Sequence, residues 1–534
     1  MAQYDAIIVG AGHNGLTCAI ELARAGKKVA IIEKTFGPGG QAATREIFPG
    51  FKHSVGAWAF LVFKEKLIKY LELDKEGFEL IRPESSFTVF GKEGDGQFVS
   101  YTDSMELANH IVEEHGFEAM TGFQNFSKAM IKWKKVFDRY VEEVECPTLE
   151  ELISREEEPE LRELFTKINY GSAMDVLRMF LPEEGKYNTI LGSLCASAID
   201  GTHKGPYSKG SGLSLAYHYG AGDTYDFKIP KGGIGQLSYC LEAVAKRYGV
   251  DIMYKLPITE FISEATSSGH KITGVELKGG EKIYAKVVVS TLDAQNTFLN
   301  KCDKSQLPVD FVNRVEDIAH THGYIQIHLA LKDLPTFTGE LEWINGKVQS
   351  WLLSYIPSPE NLHESWKTYQ ENEVPVDPAT YFYFPSQLDD SLAPEGHHTC
   401  TLFAHYFPAV NPDGQHKSQK LLMEERMFDR VEKAAPGFRD LILQKATFTQ
   451  HYFERNFGVT RGDFASGLMH PDQMFGNRQE HSNYTTPLEN LFMAGASCHP
   501  GPGVTCMPGL NGSKVVLQAL KDMESTNTPE AATA

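Results

Sequence analysis

The strongest constraint on the fold lies at the start of the chain. Ala6-Ile7-Ile8-Val9 is a short apolar run of β-branched character, and Gly10-Ala11-Gly12-His13-Asn14-Gly15 follows directly. Leu16, Ile20 and Ala23 then recur at helical spacing, and Gly26 stands where such a helix would end. A second apolar run, Val29 to Ile32, closes on Glu33. Strand, glycine turn, helix, strand and acid in this order predict a parallel βαβ unit that binds a dinucleotide. Gly10 permits the tight turn, Gly12 lets the backbone approach a pyrophosphate, and Gly15 lets helix and strand pack closely. The phosphates belong on the free N–H groups where the helix opens, beside His13 and Asn14. Glu33 is placed to accept hydrogen bonds from a ribose diol.

A nicotinamide cofactor needs nothing more, yet Lys34 leads into a second glycine pair, Gly39-Gly40, followed by Gln41. Such a turn suits a longer ligand whose pyrophosphate and ribityl chain run past a second bare stretch of backbone. No second complete GxGxxG-strand-acid unit follows. Gly232-Gly233-Ile234-Gly235 comes after Pro230-Lys231 and lacks a preceding strand. The eight cysteines form no CxxC pair, which argues against a redox disulfide and fits a reducing, cytoplasmic compartment. No metal site is expected. The formal net charge of −19 argues against duplex nucleic acid as a partner. A strand beginning by Tyr4 leaves no room for a secretory signal. No uninterrupted apolar run approaches the ~18–20 residues a bilayer span needs. Residues 525–534, small and polar, read as a frayed tail.

Four separated blocks resemble the phytoene desaturase-like FAD-dependent oxidoreductases, the phytoene dehydrogenase and carotenoid isomerase group within a larger set that includes the monoamine oxidases. The blocks are Gly10 to Gly40 with Ile47-Phe48-Pro49-Gly50-Phe51, Pro206 to Gly235, Val287 to Asp293, and Gly462 to Lys514. The resemblance implies an α/β fold: a Rossmann-type FAD-binding domain built from discontinuous segments (1–80, 226–300 and 485–524), with an α+β substrate-binding cap domain (81–225 and 301–484). It further implies that FAD touches Ile258 through a backbone amide and Gly495-Ala496 at a turn. The loop bearing Gly503 and Val504 and a helix N-terminus at Met507 would hold the flavin. That loop is a few residues longer than the family's usual run, which would bring Cys506 near the ring. Cys506 reads either as a flavin-facing group or as a small buried hydrophobe. His499 either positions substrate or tunes the flavin, or makes a structural hydrogen bond. Tyr217 and His218, ahead of the Gly232-Gly233-Ile234-Gly235 run, would be placed to face the tunnel that the resemblance implies over the flavin.

Other features have plainer readings. Phe123, Phe126, Met130, Trp133 and Phe137 line one face of a helix in Met120 to Val144, a core stripe. Glu150 to Glu163 is a solvated helix face. Arg461-Gly462-Asp463 is a turn, and His53 a pocket residue. Val55 to Leu71, aromatic and then lysine-rich, reads as a lid helix on the cap or as a contact with a membrane surface. The chemistry the resemblance implies is dehydrogenation of an apolar unsaturated lipid, polyene or prenyl chain by hydride transfer to flavin N5, with quinone or oxygen as electron acceptor. Redox-neutral isomerisation and double-bond saturation use the same cofactor geometry. An amine oxidase and a non-catalytic flavin scaffold are the remaining alternatives. Nothing in the sequence fixes an oligomeric state.

Overall fold

A computed structural model describes residues 3–182, 185–223, 226–267, 269–409 and 415–526. The strands Tyr4–Val9 and Val29–Ile32 are apolar and buried almost throughout, so both faces need cover and they lie inside a parallel sheet. Ala6 and Ile8 pack with Leu16 and Ile20 of the helix His13–Arg24 on one face. Ile7 and Val9 pack with Val288, Phe311 and Met493 on the other. The sheet runs in the order Ile258–Thr266, Gly269–Leu277, Lys282–Ser290, Tyr4–Val9, Val29–Ile32, Asp251–Met253, with Leu491–Met493 also paired to Lys282–Ser290. Lys282–Ser290 changes partners along its length. Its first half closes an antiparallel hairpin with Gly274–Glu276, and its second half is parallel to Leu491–Met493. The other edge of that second half carries Tyr4–Val9, also parallel.

The first helix stops at Ala25, where the N–H groups of Gly26 and Lys27 return to Ala23 and Leu22. Gly26 takes the left-handed conformation that this reversal requires, φ +77°. The C-terminal helix Met507–Thr526 lies against this first helix so closely that a Cβ on Gly509 would sit 2.1 Å from the Asn14 carbonyl. A second, mostly antiparallel sheet runs Ile442–Thr449, Tyr324–Leu331, His398–His405, Thr380–Tyr383, Leu352–Tyr355, Ser85–Phe90, Gln97–Tyr101. Helices of residues 104–220 pack beside it around Trp133, Phe137, Phe165 and Leu215.

Several expectations change in the structure. Leu307, Phe311, Val315 and Ile318 share the hydrophobic cluster of the first sheet, so a division at residue 300 cuts through one core. The stripe in Met120 to Val144 belongs to a longer helix, Ser104–Glu142, interrupted at Gly116. Four of its five residues are buried, with Phe123 partly so. Glu150 to Glu163 is not one face: it is shared between the helices Leu149–Ser154 and Pro159–Tyr170. Within Val55 to Leu71 the helix is only Lys66–Tyr70, and residues 57–65 form an irregular wall instead of a lid helix. Lys64 there is 3% exposed and bonded to Asp138 and Glu142, whereas Lys66 is 58% exposed. Of the expected tail, Ser525 and Thr526 continue the last helix, and 527–534 lie outside the described residues. Among the described residues no helix is long and apolar enough to cross a membrane.

Candidate functional site

One cavity of about 350 Å³ begins at the glycine turns and continues beneath the second sheet. At its nucleotide end the two glycine turns touch: Gly12 and Gly39 form a parallel bridge, and the Gly39 N–H donates to the Ala11 carbonyl at 3.0 Å. A Cβ on Gly10 would lie 2.4 Å from Thr291 Oγ1, and one on Gly15 would lie 2.1 Å from the Gly10 carbonyl oxygen. Gly12 is different. Its φ is −72°, which any residue adopts, and a Cβ there would meet no atom within 4 Å. The space beside Gly12 is therefore kept by the sequence and not filled by the fold.

Glu33 ends its strand 7% exposed, with one oxygen accepting from the Ala11 N–H at 2.8 Å and the other from the Thr35 N–H at 2.7 Å. The carboxylate thus braces the glycine turn while lining the cavity. Around it, His13 Nε2, Asn14 Oδ1 and Gln41 Oε1 are buried without a hydrogen-bond partner. Burial pushes the His13 ring down to about 4, so it is neutral at pH 7. A bare backbone turn, orphaned polar atoms and an acid at the strand end fit a bound dinucleotide. Gly40, Ala496, Gly503 and Val504 also line this cavity.

Other candidates stand off the wall. Lys34 is exposed, with Nζ 3.4 Å from the Arg455 carbonyl. Ile258 packs in the core of the first sheet. A Cβ on Gly495 would abut Thr291, at 2.6 Å. Met507 is buried where its helix opens, its N–H donating to Thr505 Oγ1. Cys506 is fully buried, beside Thr17, and burial pushes its thiol up to about 12. His499 is 3% exposed; its Nε2 meets the Glu143 carbonyl at 3.0 Å and its ring stands edge-on to Tyr140. Burial pushes this imidazole down to about 4. His53 is buried in contact with His328 and Phe48, off the cavity wall.

Tyr217 and His218 do line the cavity. The Tyr217 hydroxyl donates to the Pro502 carbonyl at 2.8 Å, and burial raises its pKa. Two more tyrosines fasten the same loop, Tyr140 on Pro500 O and Tyr484 on His499 O. His218 Nδ1 lies 2.8 Å from the Ser214 carbonyl. A carbonyl only accepts, so Nδ1 carries the proton and Nε2 of the neutral ring holds the lone pair.

The second sheet and the wall of residues 57–62 enclose the far end. Trp58 packs against Phe227 and Tyr383 with ring centroids 4.9 and 5.0 Å apart. Gln326 clamps Gly56, its amide donating to the Gly56 carbonyl at 3.0 Å and accepting from the Gly56 N–H. Asp293 accepts from both the N–H and the hydroxyl of Thr460, tying the first sheet to the segment that carries Gly458 and Val459. Asp200, Tyr381, Phe403, His405, Phe464 and Met469 also line the cavity. Of these contributors Phe227, Asp293, Phe464 and Met469 fell in blocks that sequence reasoning marked, and Trp58 in the Val55 to Leu71 segment, but none was singled out as a site residue. No motif spacing links the rest.

Residues 8–72 match the family of NAD(P)-binding Rossmann-like domains. Over nearly its whole length the chain is similar to pyridine nucleotide-disulfide oxidoreductase domain-containing protein 2 of Rattus norvegicus, 28% identical across 98% of this chain and 94% of that protein. It is 26% identical to a chloroplastic prolycopene isomerase of Daucus carota, covering 94% of this chain and 78% of that one. A zeta-carotene-forming phytoene desaturase of Myxococcus xanthus is 24% identical, with 93% and 90% covered. Among solved structures, an oxidoreductase from Methanosarcina mazei superposes with a TM-score of 0.60 at 15% identity, over 96% of this chain and 99% of that one.

Proposed function

We propose that this chain, which is a phytoene desaturase-like oxidoreductase, binds FAD at the glycine turns and dehydrogenates an apolar unsaturated lipid in the adjoining cavity. One observation carries the reading: the dinucleotide turns and the aromatic wall of the second sheet line one continuous cavity. The same turns would hold a cofactor at one end while the wall encloses a hydrophobic chain at the other. Gly12, Gly39 and Gly40 would receive the pyrophosphate, Glu33 the ribose diol, and Ala496, Gly503 and Val504 the flavin side. Bound FAD would supply a two-electron acceptor for hydride, and a quinone or oxygen would reoxidise it.

The protein's own groups have separate tasks. Trp58, Phe227 and Phe464 exclude water and orient a hydrophobic chain along the wall. Tyr217 acts by position, since its hydroxyl is committed to the loop that bears Gly503 and Val504. His218 is the proton acceptor: with Nδ1 protonated, Nε2 takes the proton that leaves the substrate carbon next to the oxidised one. A second reading, redox-neutral isomerisation, is favoured by the likeness to a prolycopene isomerase and needs the same cavity.

The test is an anaerobic visible spectrum of purified protein during additions of polyenes, prenyl lipids, fatty acids and amines. Bleaching of an FAD band by polyenes or prenyl lipids supports dehydrogenation. Bleaching by amines alone overturns it in favour of amine oxidation. An unbleached yellow protein that converts a polyene without mass change supports isomerisation. Protein that cannot be loaded with FAD refutes both.

A further inference from the structure

Three carboxylates line the cavity, and two of them have a hydrogen-bond donor on each oxygen from within the protein. Glu33 has a backbone N–H on each oxygen. Asp293 takes hydrogen bonds from Asn296 and Thr460 on both oxygens. Asp200 is the exception. Its Oδ1 lies 3.1 Å from His405 Nε2, while its Oδ2 has no hydrogen bond among the described residues. Its side chain is 44% exposed, and that exposure opens onto the cavity. It lines the same cavity as Trp58, Leu61, Phe227, Phe464 and Met469, an apolar wall for which a hydrocarbon would otherwise be the natural guest.

The group is charged. Burial alone would raise its pKa, but the effects led by the hydrogen bond from His405 outweigh this and hold it below the usual carboxylate range. An ionised carboxylate has several lone-pair sites, and one imidazole N–H fills only one of them. Packing a pure hydrocarbon over it would strip its water and return no donor, the costly way to bury an anion. A ligand with a hydroxyl or ammonium group at that point replaces the lost water.

We infer that the cavity selects an apolar chain carrying a hydrogen-bond donor, a hydroxyl or a protonated amine, which Asp200 receives. This rests on the reading of the cavity as the substrate site and narrows the substrate class from lipid hydrocarbon to donor-bearing lipid. It also assigns Asp200 a specificity role separate from the proton acceptor His218.

The experiment is direct binding to FAD-loaded protein of three chains with the same skeleton: farnesol, farnesylamine and farnesene, followed by quenching of intrinsic tryptophan fluorescence. Farnesol or farnesylamine should bind about 10- to 100-fold tighter than farnesene, the scale of a hydrogen bond to a charged group. An amine preferred over the alcohol identifies a cationic head, and parity identifies a hydroxyl donor as sufficient. In Asp200→Leu the preference should vanish and farnesene should bind more tightly than to wild type, a gain that misfolding cannot produce. Asp200→Asn, of the same shape, should lose the amine preference first. If Asp200→Leu fails to load FAD, the wild-type comparison alone decides. Equal binding of farnesene and farnesol to wild type, or a preference that survives in Asp200→Leu, overturns this inference and leaves the lipid reading intact. FAD-loaded protein that binds none of the three overturns the lipid reading with it.

Discussion

Gly12 separates what the fold requires from what the ligand requires. Its φ of −72° suits any residue and a Cβ would touch nothing within 4 Å, so Gly12→Ala and Gly12→Glu should both fold. Gly12→Glu, however, would project a carboxylate into the space reserved for a pyrophosphate. Two like charges ~4 Å apart at an effective dielectric near 20 repel by about 4 kcal/mol. That corresponds to roughly a thousandfold loss of affinity. Gly15→Ala is the contrasting case, because its Cβ would lie 2.1 Å from the Gly10 carbonyl oxygen and the turn would have to open. The assay is paired. Bound flavin is read from the visible absorbance of purified protein and by reloading with FAD, and stability is read from thermal melts of the flavin-free forms. Gly12→Glu should be colourless with a melting temperature like that of flavin-free wild type, while Gly15→Ala should melt lower. A fully yellow Gly12→Glu would refute the placement of the pyrophosphate. A Gly12→Glu that melts far below wild type would refute the claim that the space beside Gly12 is free of structural duty.

Other outcomes follow from the same geometry. Glu33→Ala should weaken FAD by about 1.5–3 kcal/mol and also lower the melting temperature, since the N–H groups of Ala11 and Thr35 lose their acceptor. Unchanged FAD affinity would mean another group holds the ribose. His218→Gln should cut the rate of flavin reduction by substrate about 100-fold or more while leaving FAD binding intact, and an unchanged rate would remove His218 from the chemistry. Burial holds His53 and His481 down at about 3 and His13 and His499 at about 4. Unfolded, each would titrate near 6.5. Their neutral burial therefore carries no penalty above about pH 6.5, and stability is lost below it, by about 1.4 kcal/mol per pH unit for each histidine until its folded value is reached. Thermal melts at pH 7 and pH 5 should differ strongly, and His53→Phe should flatten the dependence. Equal melting temperatures at the two pH values would contradict the burial argument.

The nucleotide end was legible because its determinants are local. The turn, helix and acid from Gly10 to Glu33 are set by spacing, and Gly39-Gly40 had to lie close by. The far end of the cavity was not. Asp200 ends a helix, Gln326 and His405 stand on different strands, and Trp58 sits in an irregular wall. Only tertiary contact brings them together, and no period in the sequence records it. The lysines after Phe63 illustrate the same limit. Charge pattern treats them alike, but Lys64 is buried against Asp138 and Glu142 of a helix more than seventy residues away while Lys66 stays exposed. His499 was singled out by its motif, yet what the motif governs is a loop tied down by tyrosines from the helices and from Tyr484.

The interleaved first sheet also dictates when the protein can become functional during its synthesis. Tyr4–Val9 cannot acquire its neighbour at residues 285–290 until more than half the chain has left the ribosome. The loop with Gly503 and the helix that backs Asn14 emerge later still. Early-emerging domains normally fold as they appear, whereas here the first strand, covered early on one face by the helix His13–Arg24, must wait with Ile7 and Val9 on its other face uncovered. A nascent chain is thus exposed to aggregation for most of its translation, and FAD arriving early would find only part of its site. Cells short of FAD at the moment of chain release should accumulate less of the protein.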